Sequence, residues 1–277
     1  MRVLFWCLVV GFGIRKSYPS DVSRAQFELV HPFLESVRKY TKPRTVDLYE
    51  VFNAVLYLLK SGCQWRMLPE GFPKWRTVHS YFAKWSEPGP DGISALERSL
   101  KKSIGVARAR QGRSFSSSFL IVDAQSVKNT NTAEQKGYDA GKKISGIKRH
   151  IAVDTQGLPH AIAVVTAEVT DRPGALMAFD RCADLTIVTS VLADGGYCGA
   201  HFADAVRQTL GATVQIAKRP LLHTFAVMPK RWIVERSFAW LEKIDGSGKL
   251  RAKTQRKPAN GPPRLPRSHP QKIVNRL

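Results

Sequence analysis

The apolar periodicity of this chain changes once, at Phe119, and that change constrains the fold more than any other feature. Before it, apolar residues recur at helical spacing. After it they come in short runs of four or five, the pattern of strands buried in a sheet. A helical unit followed by a strand-rich α/β unit is expected, with Gly112 to Ser118 as the linker.

In the first unit, Pro19-Ser20-Asp21 opens a helix that Ser20 or Asp21 can cap. Phe27, Val30, Phe33, Leu34 and Val37 continue it, with Pro32 bending or restarting the run. A second helix spans Val46 to Lys60, and Gly62 stands just past its end. A third runs from Lys74 to Ser86, with Val78, Tyr81, Phe82 and Trp85 on its apolar side and Arg76, His79, Ser80 and Lys84 opposite. A linking helix follows from Ile93 to Ala107. The pattern fits a helix-turn-helix-like domain in which Lys74 to Trp85 is the recognition helix and Arg76, His79 and Lys84 touch DNA. It fits a plain helical subdomain equally well. Trp65, Trp75 and Trp85 read as core, because each lies beside helical apolar positions.

The second unit opens with a buried strand, Phe119 to Val122, ending at Asp123, followed by Ser126, Lys128, Asn129 and Thr130 in a loop. A polar stretch from Lys136 to Arg149 comes next. His150 to Asp154 and Leu158 to Thr166 read as a β-hairpin about Thr155-Gln156-Gly157. A helix is expected over Asp171 to Leu185, a strand over Ile187 to Ala193 ending at Asp194, and a helix over His201 to Leu210. A strand over Thr213 to Ala217 and a helix over Lys230 to Lys243 carrying Glu235 complete the unit.

Two acids at the ends of buried strands and one on a later helix suit a particular chemistry. Two-metal phosphodiester cleavage needs hard oxygen ligands that converge on paired cations. Composition does not single three acids out of 22. Asp154 reads as a hairpin residue, Asp171 as a helix cap, and Asp180 and Asp204 as helix-surface acids.

Charge narrows the partner. Lys and Arg number 43 against 22 Asp and Glu, a net +21. That excess points to a polyanion, most simply double-stranded DNA. Nine of those positive charges and no acid lie in a proline-rich segment over 246–277, which reads as a disordered basic tail. Apolar content of 43% argues against disorder of the whole chain. Cys7, Cys63, Cys182 and Cys198 show no metal-ligand spacing, and a reducing, cytoplasmic location fits them. Residues 1–16 read as an apolar extension, too short for a membrane span. Among the histidines, His150 is the best functional candidate, its plainer reading being a strand-edge polar residue. Lys128, Lys148 and Arg149 are candidate phosphate contacts.

Six blocks of sequence also resemble a known family. They are Ser17-Tyr18-Pro19-Ser20-Asp21; Ser61 to Pro69 around Gly62-Cys63-Gln64-Trp65; Val122-Asp123-Ala124-Gln125-Ser126-Val127-Lys128; Gly146-Ile147-Lys148-Arg149-His150; Leu192-Ala193-Asp194-Gly195-Gly196-Tyr197; and Pro229 to Trp240 around Arg231 and Glu235. Their order resembles DDE transposases of the insertion-sequence-five family, within the insertion-sequence-four-like superfamily. The resemblance implies an RNase H-like catalytic domain over 119–245 behind a helical DNA-binding domain over 17–110. It implies Asp123, Asp194 and Glu235 as the catalytic, metal-binding triad, Mg²⁺ (or Mn²⁺) as cofactor, and cleavage of element ends with joining of a 3′-hydroxyl to target DNA. Arg231, one helical turn before Glu235, would contact phosphate or orient the glutamate. A homo-oligomer without a membrane anchor, nucleoid-associated in a bacterium, is expected. Met228 and Glu242 depart from the family pattern, and the basic segment after Asp245 replaces apolar helix, as in a degenerate copy. A non-catalytic DNA-binding protein is the second reading, and a secreted or membrane-tethered basic protein the third.

Overall fold

The structure is a computed structural model that describes residues 16–37, 44–129, 136–180, 187–217 and 231–244. Among these, five helices come first: α1 (Arg24–Glu28), α2 (His31–Ser36), α3 (Leu48–Ser61), α4 (Trp75–Ser86) and α5 (Ala95–Ala109). Ser23, rather than Ser20 or Asp21, caps α1 through a reciprocal bond with Gln26. Pro32 restarts the chain as α2, where its missing N–H is harmless in the first turn. Asp47 caps α3, and Gly62 closes it at φ 68°, a left-handed conformation that favours glycine.

These helices share one core of Phe27, Leu34, Val51, Val55, Phe72, Val78, Trp85 and Ala95. Buried Asn53 accepts a hydrogen bond from the Val22 N–H, and the Trp85 indole donates to the Leu34 carbonyl. Trp85 is core as expected, Trp65 packs at its edge, and Trp75 is only half-buried, with Arg66 and Arg76 over its ring.

The second unit is a six-stranded mixed sheet: β1 (Phe119–Lys128), β2 (Gly137–Asp139), β3 (Ile144–Val153), β4 (Pro159–Thr166), β5 (Ser190–Ala193) and β6 (Thr213–Ile216). β3 pairs antiparallel with β1, β2 and β4, whereas β1, β5 and β6 run parallel. Helices α6 (Asp171–Asp180) and α7 (Ala200–Leu210) cover one face through Phe179, Phe202 and Val206. Helix α8 (Arg231–Ile244) covers the other through Ile233, Val234 and Phe238, which meet Ile121, Ile151 and Val153.

Two boundaries differ from expectation. β1 does not end at Asp123 but runs to Lys128, because Gln125, Ser126 and Lys128 pair with Arg149, Lys148 and Gly146. The polar stretch after Lys136 is not a loop: it supplies β2 and the first half of β3. The expected helix over 171–185 is described to Asp180, and residues 181–185 lie outside the described residues. The 1–16 extension, apart from Lys16, and the 246–277 tail also lie outside them.

The two units meet at the turn between β3 and β4. The Arg108 guanidinium from the end of α5 forms a buried ion pair with Asp154. Asp154 is thus more than a hairpin residue. It accepts hydrogen bonds from the Gln156 and Leu158 N–H groups and lies 3.4 Å from the His160 ring. Arg113 donates to the Thr155 hydroxyl from the same side. From the opposite direction, Arg236 and Ser237 of α8 donate to the carbonyls of Gln156 and Gly157.

Candidate active site

Side chains on a strand alternate between its two faces. Ile121 of β1 and Leu192 of β5 are register partners and both pack toward α8. Two residues further along the chain stand Asp123, within β1, and Asp194, just past the end of β5, so both acids follow on from that face. Asp123 lies in mid-strand, opposite Ile151 of β3. Asp194 caps a short 3-10 turn, Gly195–Tyr197, its carboxylate accepting the Gly196 N–H at 2.9 Å. Glu235 lies on α8, the helix laid over this face, and its side chain is exposed. Arg231 is the first residue of that helix, four before Glu235. Among the described residues, no three acidic, histidine or cysteine side chains are gathered closely enough to hold an ion. The β1–β5 register sets Asp123 and Asp194 on neighbouring chain segments, and Glu235 lies on the helix over that face. The donors themselves, carboxylate oxygens on rigid backbone, are those a hard divalent cation takes.

The expected phosphate contacts fall into two groups. Arg76 and Lys84 are exposed on α4, and His79 is half-buried with its ring 4.9 Å from Trp65. Lys128 is exposed, as the last residue of β1 rather than in a loop. Lys148 and Arg149, by contrast, are buried. Lys148 is committed to two acids: its Nζ lies 3.1 Å from Asp139 and 3.2 Å from Asp171. Burial of a long cationic side chain requires such partners. As they stand, neither residue faces solvent as a phosphate contact does.

Sequence reasoning missed this polar layer. Asp139 takes the Ser126 hydroxyl at 2.5 Å, and that bond, with Lys148 and the Lys142 N–H, holds its carboxyl well below the usual range despite burial. Asp171 is the first residue of α6 rather than its cap, and it faces Lys148. His150 is no edge residue: it is fully buried in the middle of β3, and burial lowers its pKa to about 4. Alternation back from Ala152 puts His150 and Lys148 on the α6 side, and that was the available signal. Asp180 and Asp204 are exposed helix acids, as read. Cys63 is half-buried and Cys198 exposed; Cys7 and Cys182 lie outside the described residues.

On α8, Arg236 is sandwiched between the rings of Trp232 and Trp240, at 4.6 and 4.8 Å, and both tryptophans are about half exposed. This aromatic–cation ladder, on the helix that bears Glu235, suits stacking and phosphate contact alike.

Comparison with known proteins agrees with this arrangement. Residues 114–259 match the family described as "Transposase DDE domain", and residues 22–90 match "Putative transposase of IS4/5 family". The chain belongs to the DDE transposase family. It is also similar to the "Putative transposase for insertion sequence element IS402" of Burkholderia cepacia, with 35% identity over 104 residues. That alignment covers 35% of this chain and 49% of the relative, so the chain spans about half the length of the curated protein it matches. The DDE match runs to residue 259, past the expected start of the tail. No helix among the described residues is long and apolar enough to cross a membrane.

Proposed function

We propose that this chain binds double-stranded DNA at the ends of an insertion sequence and catalyses strand cleavage and transfer, with Asp123, Asp194 and Glu235 holding Mg²⁺, or Mn²⁺ in its place. The observation that carries this reading is the placement of Asp123 on β1 and of Asp194 just past the end of the neighbouring parallel β5, on the side covered by the helix that bears Glu235. When bound there, the cations would lower the pKa of an attacking water or 3′-hydroxyl and neutralise the leaving oxygen. β1 and the end of β5 would fix the two aspartates against each other, and α8 would bring the third carboxylate from outside the sheet. Arg231, Lys128 and the Arg236 ladder would hold the DNA backbone near the acids. Arg76, His79 and Lys84 on α4 would engage the element end in a helix-turn-helix manner. The protein would work as a homo-oligomer in the cytoplasm, on nucleoid DNA.

A non-catalytic DNA-binding role is the second reading, favoured because no three acidic, histidine or cysteine side chains among the described residues are grouped closely enough to hold an ion. Both are tested by incubating purified protein and Mg²⁺ with a plasmid carrying the element's end sequence. Nicking that disappears in Asp123→Ala, Asp194→Ala and Glu235→Ala supports catalysis. Salt-sensitive DNA binding with no nicking by the wild-type chain supports the second reading instead.

A further inference from the structure

The acidic centre has a neighbour that the triad does not use. Asp171, the first residue of α6, points at the turn that follows Asp194. A Cβ placed on Gly196 would lie 3.1 Å from Asp194 Oδ1 and 3.8 Å from Asp171 Oδ2, so both carboxylates border the same small space. Arg172, next in sequence, donates from Nε to the Gly196 carbonyl at 3.1 Å and ties the start of α6 to that turn. Lys148 lies 3.2 Å from Asp171 and supplies the counter-charge.

A second, independent group reaches the same place. Tyr197 is 1% exposed, and its hydroxyl has no hydrogen-bond partner among the described residues. A buried O–H without an acceptor is costly, so a native structure that keeps one commonly reserves it for a ligand or its water. The charges that bear on that hydroxyl are Asp123, Asp171 and Asp194. Asp171 and Asp194 therefore border one space, and the buried Tyr197 hydroxyl lies within electrostatic range of both.

We propose that Asp171 is a fourth acidic member of the cation site, acting beside Asp194 on the bound ion or its water shell, with the Tyr197 hydroxyl aimed at the same water and Lys148 as the counter-ion that a cation displaces. This rests on the metal-site reading above. It assigns Asp171 and Lys148 opposite effects on cation affinity: Asp171 attracts the ion and Lys148 competes with it for Asp171.

Mn²⁺ titration of the full chain, followed by the electron paramagnetic resonance signal of free Mn²⁺, tests it without DNA or turnover. Asp171→Asn is expected to weaken binding by about 10-fold to 100-fold, the usual effect of removing a group that supports a metal ligand. Asp204→Asn, an exposed acid on α7, is the control for loss of one negative charge and should leave binding unchanged. Wild-type affinity in Asp171→Asn overturns the inference, whatever Asp123→Asn does. Loss in Asp171→Asn with wild-type affinity in Asp123→Asn supports a site on Asp171 and removes the triad reading instead. If near-UV circular dichroism shows that Asp171→Asn does not fold, Lys148→Gln decides: several-fold tighter Mn²⁺ binding supports the inference, and unchanged or weaker binding overturns it.

Discussion

Enclosed by β3 and α6, the His150 ring is held in its neutral form, because burial outweighs the pull of Asp171, and Lys148 and Lys142 oppose a further positive charge. With a folded pKa of about 4 against an ordinary 6.5, the unfolded chain binds a proton between those values and the folded chain does not. Stability therefore falls as pH drops from 6.5 toward 4. The urea midpoint at pH 5 should correspond to a loss of roughly 2 kcal/mol relative to pH 7, and His150→Leu should flatten that part of the profile. The ring fits only because residue 174 is glycine: a Cβ there would lie 2.0 Å from His150 Nε2. Gly174→Ala should cost about 1–3 kcal/mol in a thermal melt, and less in a His150→Ala background, where the clash is relieved. None of this was legible at His150 itself. A histidine after Lys148-Arg149 reads as polar edge, and only pairing on both sides of β3, by β1 and β4, makes it core.

Single elements were read more securely where packing and local preference agree. α3, α4, α5, α7 and α8 lie within a few residues of their expected spans, since apolar stripes and end signals such as Asp47 and Gly62 point the same way. β1 was cut short because Gln125, Ser126 and Lys128 look like loop chemistry. They are strand residues whose polar groups find partners across the sheet, as Ser126 does in Asp139. The same compensation hid Arg108, which falls in a basic run at the end of α5 yet is buried against Asp154. Burial alone would raise the Asp154 carboxyl, but bonds from His160, the Leu158 and Gln156 N–H groups and Arg108 bring it down to about 2. That contribution is present above the ordinary carboxyl range and is lost as pH falls from about 4 through 2. Arg108→Met leaves Asp154 a buried charge without its guanidinium. It should destabilise the fold by about 3 kcal/mol at neutral pH in urea denaturation, and Asp154→Asn added to it should recover part of that loss.

For the molecule as a whole, under the proposed function the excess of 21 positive charges would set how it meets DNA. The affinity for any duplex should fall linearly with the logarithm of salt concentration, with a slope near −0.9 for each phosphate engaged. Arg76→Ala combined with Lys84→Ala should make that slope about two units shallower in a fluorescence-anisotropy titration, if α4 lies on the backbone as proposed. The division into a helical unit and an α/β unit was visible in the change of period at Phe119. Asp123 and Asp194 became candidates through the family resemblance, since an acid after an apolar run is more often a turn or cap residue. What the sequence could not show is which face each residue takes, since that depends on register between strands far apart in the chain, such as Ile121 with Leu192.

The turn at 154–157 is gripped from one side by Arg108 and Arg113 and from the other by Arg236 and Ser237. A chimaera that joins this catalytic half to another helical module at the exposed 110–116 stretch would strip Asp154 of its guanidinium and unseat the support on which α8 rests. With the helical unit binding element ends as proposed, exchange of whole modules is thus a poor route by which such a chain could acquire new target ends. Stepwise replacement of solvent-facing residues on α4, which leaves α5 and its ion pair intact, is the route the architecture permits.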